Sequence, residues 1–163
     1  LYDMLELKQN SKIDNREMLF EKRFARSKEQ SDEFFEKNIE EIVKTANVMP
    51  GAKKVLQMLK NEGNELVVVT ARGIENPEIV DVSNEAIKRN GLDLFDKYIY
   101  RAENKAEVCK EENIDIMIDD SINICEDINE HGIKAIIMDT PYNRNTNNFE
   151  RVHSWKEIYK YIK

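Results

Sequence analysis

The stretch that most constrains this chain is Ile116-Met117-Ile118-Asp119-Asp120-Ser121, where three apolar residues run directly into two adjacent carboxylates. A short apolar run ending in charge reads as a buried strand whose carboxyl end carries both acids. Open α/β sheets bind their ligands at that end of the strands. Neighbouring carboxylates repel each other unless a positive group lies between them, and a hard divalent cation such as Mg2+ is a common solution. An Asp that N-caps the following helix, Ile122 to Glu130, beside a solvated neighbour accounts for the same residues equally well.

The chain around this stretch alternates strand and helix. Leu66-Val67-Val68-Val69 is a continuous, largely β-branched run suited to a strand buried on both faces, and Thr70-Ala71-Arg72-Gly73 ends it. Tyr98-Ile99-Tyr100 and Ala135-Ile136-Ile137-Met138 are further strands, the second closed by the loop Asp139-Thr140-Pro141-Tyr142-Asn143. Between them lie helices. Pro50 opens one whose apolar face is Ala52, Val55, Leu56 and Leu59, with Gly63 placed to end it, and another runs from Ser83 to Asn90 before Gly91. Asn104 and Glu107 form a capping box that puts Lys105 on a first helical turn, and Ser154 with Glu157 forms a second box before Trp155, Ile158, Tyr159 and Ile162. Strands separated by helices in this way predict right-handed βαβ units, hence an α/β fold with a parallel sheet flanked by helices.

Residues 1–48 differ in character: polar, without strand signal, with Phe34, Phe35, Ile39, Ile42, Val43 and Ala46 at helical spacing after Ser31 as N-cap. Met18, Leu19, Phe20 and Phe24 suggest a further amphipathic helix, so a small helical subdomain over 1–48 is expected to precede an α/β core over 49–163. The basic run Lys22, Arg23, Arg26 and Lys28 reads first as a solvated helix face.

A net charge of −7 argues against a nucleic-acid polymer as the partner. No apolar run approaches membrane-spanning length and no cationic-then-apolar leader opens the sequence, so a cytoplasmic protein without membrane contact is expected. Cys109 and Cys125 lack partners at metal-ligand spacing and read as buried thiols, and neither His131 nor His153 has a sequence partner that would make it a base. The chain starts at Leu1 rather than Met, which leaves room for a segment upstream.

Thr70, Lys105 and the Asp119-Asp120 pair therefore fall along one sheet edge. A hydroxyl and an ammonium suit phosphate oxygens, and paired acids suit Mg2+. The order Val-Val-Val-Thr70-Ala71-Arg72, then Lys105, then Ile-Asp119-Asp120-Ser resembles the second, third and fourth motifs of the haloacid dehalogenase (HAD) phosphohydrolases. Asp139-Thr-Pro-Tyr-Asn143 and the helical segment ahead of the second motif resemble the cytosolic 5′-nucleotidase (deoxyribonucleotidase) type C branch.

That resemblance implies a Rossmann-like core with a small helical cap. It implies a Mg2+-dependent phosphatase acting on a small phosphorylated substrate, a nucleoside 5′-monophosphate, through an aspartyl-phosphate intermediate. Thr70, Ala71, Arg72 and Lys105 would bind the phosphate, and Asp120 would hold Mg2+ with Asp119 as second ligand or orienting neighbour. Phe20, Phe24, Phe34 and Phe35 are candidates to stack on a base, although core packing is the commoner use of such residues. The family's first motif, an apolar strand ending in Asp-x-Asp, supplies nucleophile and general acid and has no counterpart here, since Asp3 and Asp14 lack the strand and the spacing. The nucleophile is therefore expected upstream of Leu1, and without that central strand the sheet would hold a gap with unpaired edges and the chain alone would be inactive. Two other readings use similar residues. A signalling receiver domain also has an acid pair, Thr and Lys, but in a different chain order; a non-catalytic phosphate-binding relative needs no nucleophile.

Overall fold

The computed structural model describes residues 19–24, 26–145 and 148–163. In chain order these form α1 (Phe20–Arg23), α2 (Lys28–Thr45), α3 (Ala52–Asn61), β1 (Val67–Val69), α4 (Ile79–Arg89), β2 (Lys97–Ile99) and α5 (Lys105–Glu111). There follow β3 (Ile116–Asp119), α6 (Ile122–Glu130), β4 (Lys134–Met138), a 3-10 turn (Pro141–Asn143), β5 (Glu150–Val152) and α7 (Trp155–Ile162). Every strand pairing is parallel: β1 with β2, β3 with β4, and β4 with β5. The fold is the α/β arrangement that the alternating pattern predicts.

The apolar run of β4 shows why such a strand must be covered on both sides. Ala135 and Ile137 enter one core with Cys109 of α5 and with Cys125 and Ile128 of α6. Ile136 and Met138 enter a second core with Val152 of β5 and Ile158 of α7. Successive side chains of a strand point to opposite faces, so an uninterrupted apolar sequence is what two-sided burial requires. Ile136 and Ile137 are completely buried, and each contributes roughly 1.5–3 kcal/mol from the apolar surface removed from water.

Some boundaries differ from the sequence reading. The cap of helix α2 is Ser27, four residues before the expected Ser31, because Ser27 and Gln30 form a reciprocal capping box. Ser31 instead lies inside the helix, its hydroxyl donating to the Ser27 carbonyl oxygen at 2.9 Å. Helix α4 likewise begins at Ile79, ahead of Ser83, whose hydroxyl is satisfied by the Ile79 carbonyl oxygen. Strand β2 lies one residue earlier than Tyr98–Tyr100, and β5 is a strand the sequence reading did not include. Helix α2 packs on α4 through Val43, Ile79 and Ala86, with Ile39 and Val82 alongside.

Among the described residues no strand lies between β1 and β3. A cleft of about 530 Å3 separates them, walled by Val67, Val68 and Val69 on one side and Ile116, Met117 and Ile118 on the other. Because β1 pairs with β2 and β3 with β4, the second edge of each strand faces this cleft. Trp155 of α7 also lines it, with an indole N–H that is buried and has no hydrogen-bond partner among the described residues.

Candidate active site

The site is built where β1, β2 and β3 end. Thr70 directly follows β1; its N–H donates to the Ile99 carbonyl oxygen at 2.9 Å, and its own carbonyl oxygen accepts from Ala102 N–H at 3.0 Å. These bonds join the loop after β1 to the loop after β2. Thr70 Oγ1 accepts from Arg72 N–H at 3.3 Å, which leaves the hydroxyl proton available for an outside acceptor.

Asn104 folds the next part. Its side-chain oxygen accepts from the N–H groups of Ala106 and Glu107 at 3.0 and 3.1 Å, which makes Lys105 the first residue of α5. A cation there opposes the helix dipole, but Lys105 Nζ donates to Asp119 Oδ2 at 2.6 Å, and the two side chains are only 19% and 7% exposed. The other oxygen of Asp119 accepts from Ser121 N–H at 2.9 Å. Both Asp119 oxygens thus have partners, whereas its neighbour Asp120 is exposed.

Two residues that sequence reasoning left as ordinary loop hold Asp120 in place. Tyr142 donates its hydroxyl to the Asp120 carboxylate. Burial, with the Asp120 charge beside it, pushes the Tyr142 phenol up to about 12. The Arg23 guanidinium lies 5.9 Å from the centre of the Tyr142 ring, bringing the segment around α1 against this loop. Asn143 is 1% exposed and serves four partners. Its amide nitrogen donates to the carbonyl oxygens of Asp120 (2.9 Å) and Met138 (2.8 Å), while its oxygen accepts from Thr140 N–H (3.1 Å) and Arg151 Nη1 (2.6 Å). The available sequence signal was Thr140 followed by Pro141, with Asn143 three residues after the cap: a short capped turn at a strand end.

Asp139, next to this turn, belongs to a separate arrangement. Arg144 and Arg151 pair with its carboxylate at 2.6 and 3.1 Å, and His153 Nδ1 lies 3.5 Å away. Its hydrogen bond from Arg144 holds the Asp139 carboxyl below its usual range.

Of the sequence-predicted site residues, Lys105 and Asp119 are in direct contact and Asp120 adjoins them in the chain. Thr70 and Ala71 lie in the loop after β1, on the other side of the cleft from β3. Arg72 is in the same loop, with Nη1 donating to Ser83 Oγ of α4 at 3.2 Å. Phe24 is buried and Phe35 is 38% exposed; Phe34 and Phe35 meet edge to face at 5.6 Å, and the Phe20 side chain lies outside the described residues. Cys109 and Cys125 are free and buried, as expected. Among the described residues no helix is long and apolar enough to cross a membrane.

The donors are hard carboxylate oxygens, and no group of three metal-ligating side chains occurs among the described residues. That set suits Mg2+, which commonly takes one or two carboxylates and completes its shell with water and substrate phosphate.

Comparison with known proteins identifies the family. The family described as 5′ nucleotidase, deoxy (Pyrimidine), cytosolic type C protein matches residues 14–163. A 5′(3′)-deoxyribonucleotidase of Bacillus subtilis is 31% identical over 121 residues, 72% of this chain and 63% of that protein, so the match spans a little under two thirds of the relative's length. A nucleotidase of Clostridium acetobutylicum is 23% identical over 133 residues, covering 80% of this chain and 67% of the relative. Among solved structures, a haloacid dehalogenase-like hydrolase from Streptococcus pneumoniae superposes with a TM-score of 0.66 at 15% identity, covering 99% of this chain and 86% of that one. With its HAD-type α/β core and a family match over nearly its whole length, this chain belongs to the type C 5′-nucleotidase family.

Proposed function

We propose that this chain forms the phosphate-binding part of a Mg2+-dependent nucleoside 5′-monophosphate phosphatase. The observation that carries the reading is the part-buried Lys105–Asp119 pair beside an exposed Asp120 at the carboxyl end of β3, with Thr70 directly after β1 on the other wall of the cleft. The family match and the nucleotidase relatives support it.

In this reading Thr70 donates its hydroxyl proton to a phosphoryl oxygen, with Ala71 and Arg72 alongside it. Lys105 offers its remaining N–H bonds to the phosphoryl group while Asp119 fixes its position. The engagement of both Asp119 oxygens favours the orienting role for that acid, leaving Asp120 to hold the metal. Bound Mg2+ supplies positive charge against the phosphoryl oxygens. Lys105 and Thr70 act mainly on the charge that grows as the phosphorus is attacked.

The nucleophile is assigned to a strand that enters the cleft between β1 and β3, pairs with both edges and delivers an Asp beside Lys105. The apolar walls support this, and so does the buried Trp155 N–H, for which a strand carbonyl oxygen is a suitable partner. A carboxylate on that strand forms the bond to phosphorus as the bond to the leaving oxygen breaks, a second acid protonates the leaving alcohol, and water then hydrolyses the acyl phosphate.

The test is phosphate release by the full-length protein from a panel of monoesters, with Mg2+ and with EDTA. Metal-dependent release from nucleoside monophosphates is expected. Failure to release phosphate from any monoester under either condition would overturn the reading in favour of a non-catalytic phosphate-binding relative.

A further inference from the structure

Two consecutive residues of the short turn after β4 grip Asp120, one at its backbone and the other at its side chain. Asn143 Nδ2 donates to the Asp120 carbonyl oxygen at 2.9 Å, and the Tyr142 hydroxyl donates to Asp120 Oδ2. The turn is itself fixed from within. Pro141 opens it, Asn143 N–H closes it on the Thr140 carbonyl oxygen at 3.2 Å, and Asn143 Nδ2 ties it to the Met138 carbonyl oxygen at the end of β4. The Arg23 guanidinium stands 5.9 Å from the centre of the Tyr142 ring, so a second segment packs against the residue that carries the hydroxyl.

Asp120 needs such a fixture more than its neighbour does. Asp119 has a side chain only 7% exposed, with Lys105 on one oxygen and Ser121 N–H on the other. Asp120 is exposed, and among the described residues its carboxylate accepts a hydrogen bond only from Tyr142, which leaves Oδ1 without a protein partner. Left to solvent, such a carboxylate spreads over several rotamers, and binding a cation then costs the entropy of choosing one. A donor on one oxygen of a ligating carboxylate is a common way for metal sites to orient it. The phenol fixes the oxygen without cancelling the charge, unlike the Arg144 guanidinium on Asp139.

We propose that Tyr142 is a positioning residue for the metal: by holding Asp120 Oδ2 it presents Oδ1 to Mg2+, and so sets how tightly the cation is bound. The inference rests on the reading of Asp120 as the metal-holding acid and adds to it the residue that tunes its affinity.

Calorimetric titration of the substrate-free, full-length protein with Mg2+ reads this directly. Tyr142→Phe keeps the ring and its contact with Arg23 and removes the hydroxyl alone. It should weaken Mg2+ binding about tenfold, the scale of losing an outer partner of a metal ligand, with little change in melting temperature. Phosphate release by this variant should need correspondingly more Mg2+ for half its maximal rate and should approach wild-type turnover at saturation, because the hydroxyl acts through Asp120. Tyr159 serves as the control, since its hydroxyl donates to Glu62 on the approach to β1 rather than beyond its end, and Tyr159→Phe should leave Mg2+ binding unchanged. Wild-type affinity in Tyr142→Phe, an equal loss in Tyr159→Phe, or turnover that stays low at saturating Mg2+ overturns the proposal, while weakened binding by Asp120→Asn keeps the metal reading intact. A wild type that takes up no Mg2+, or an Asp120→Asn variant that binds it as the wild type does, overturns both.

Discussion

Asp119 and Asp139 stand at the ends of neighbouring strands with the same side-chain exposure of 7%, yet they are surrounded in opposite ways. Asp139 draws two cations, Arg144 from its own loop and Arg151 from the adjoining strand, and His153 Nδ1 lies 3.5 Å away. The cluster closes on itself and fixes the path from β4 to β5. Asp119 takes one cation, Lys105, from a different βα unit, and immediately beyond it comes a second acid that is exposed. A carboxylate enclosed by cations has little left to offer a ligand. An acid pair of which one member meets a lysine and the other is exposed has spare negative charge on the edge where a parallel sheet binds its ligands. The difference separates a closed ion cluster from one with charge to spare, without any appeal to motif.

This contrast can be broken most sharply by activity. In the full-length protein, Asp120→Asn or Lys105→Ala should lower turnover by roughly 100- to 1,000-fold, the scale of losing one electrostatic stabiliser, as measured by phosphate release under saturating Mg2+. Near-normal turnover in either variant would remove that residue from the site. Asp139→Ala should act on stability instead. It removes the largely buried carboxylate that pairs with both Arg144 and Arg151 and should cost about 2–3 kcal/mol in urea unfolding. A loss below a few tenths would show that the enclosed cluster contributes little.

Acid provides a further test. The Asp139 carboxyl titrates below its usual value in the folded chain, chiefly through its bond from Arg144. Its contribution is therefore full above the unfolded value, about 4, and is lost as pH falls through the lower folded value. Asp139→Asn should flatten the acid limb of the stability curve, and an unchanged limb would shift the assignment elsewhere.

Amide exchange should give a smaller signal. Among the described residues β1 pairs with β2 alone, so in this chain by itself its amides should exchange faster than those of β4, which lies between β3 and β5. Equal protection would contradict an open cleft. The smallest effect concerns the thiols. Cys109 and Cys125 are both fully buried, and burial pushes the Cys125 thiol up to about 12, so a thiol reagent should label neither until the chain is unfolded.

Much of the architecture was legible because two-sided burial leaves a plain record. The runs around Val67–Val69, Ile116–Ile118 and Ala135–Met138 have few alternatives to being buried strands. The placement of Lys105 followed from the Asn104 cap, which the structure contains. Strand β5 was not legible: Glu150-Arg151-Val152 offers one apolar side chain, and its strand character comes from pairing with Ile136–Met138. The start of α2 was missed because the apolar face begins near Phe34, two turns after the Ser27–Gln30 box that sets the first turn. Nor could spacing reveal that Tyr142 reaches back to Asp120, a contact made only when the turn after β4 folds against the end of β3.

Asn143 has a consequence for how this protein tolerates change. Its amide meets two carbonyls with its nitrogen and two donors with its oxygen, using its full complement. Aspartate has the same outline but would turn acceptor against acceptor, and glutamine would overshoot by a methylene. A saturation library should therefore find this uncharged, hidden position among the least permissive in the molecule.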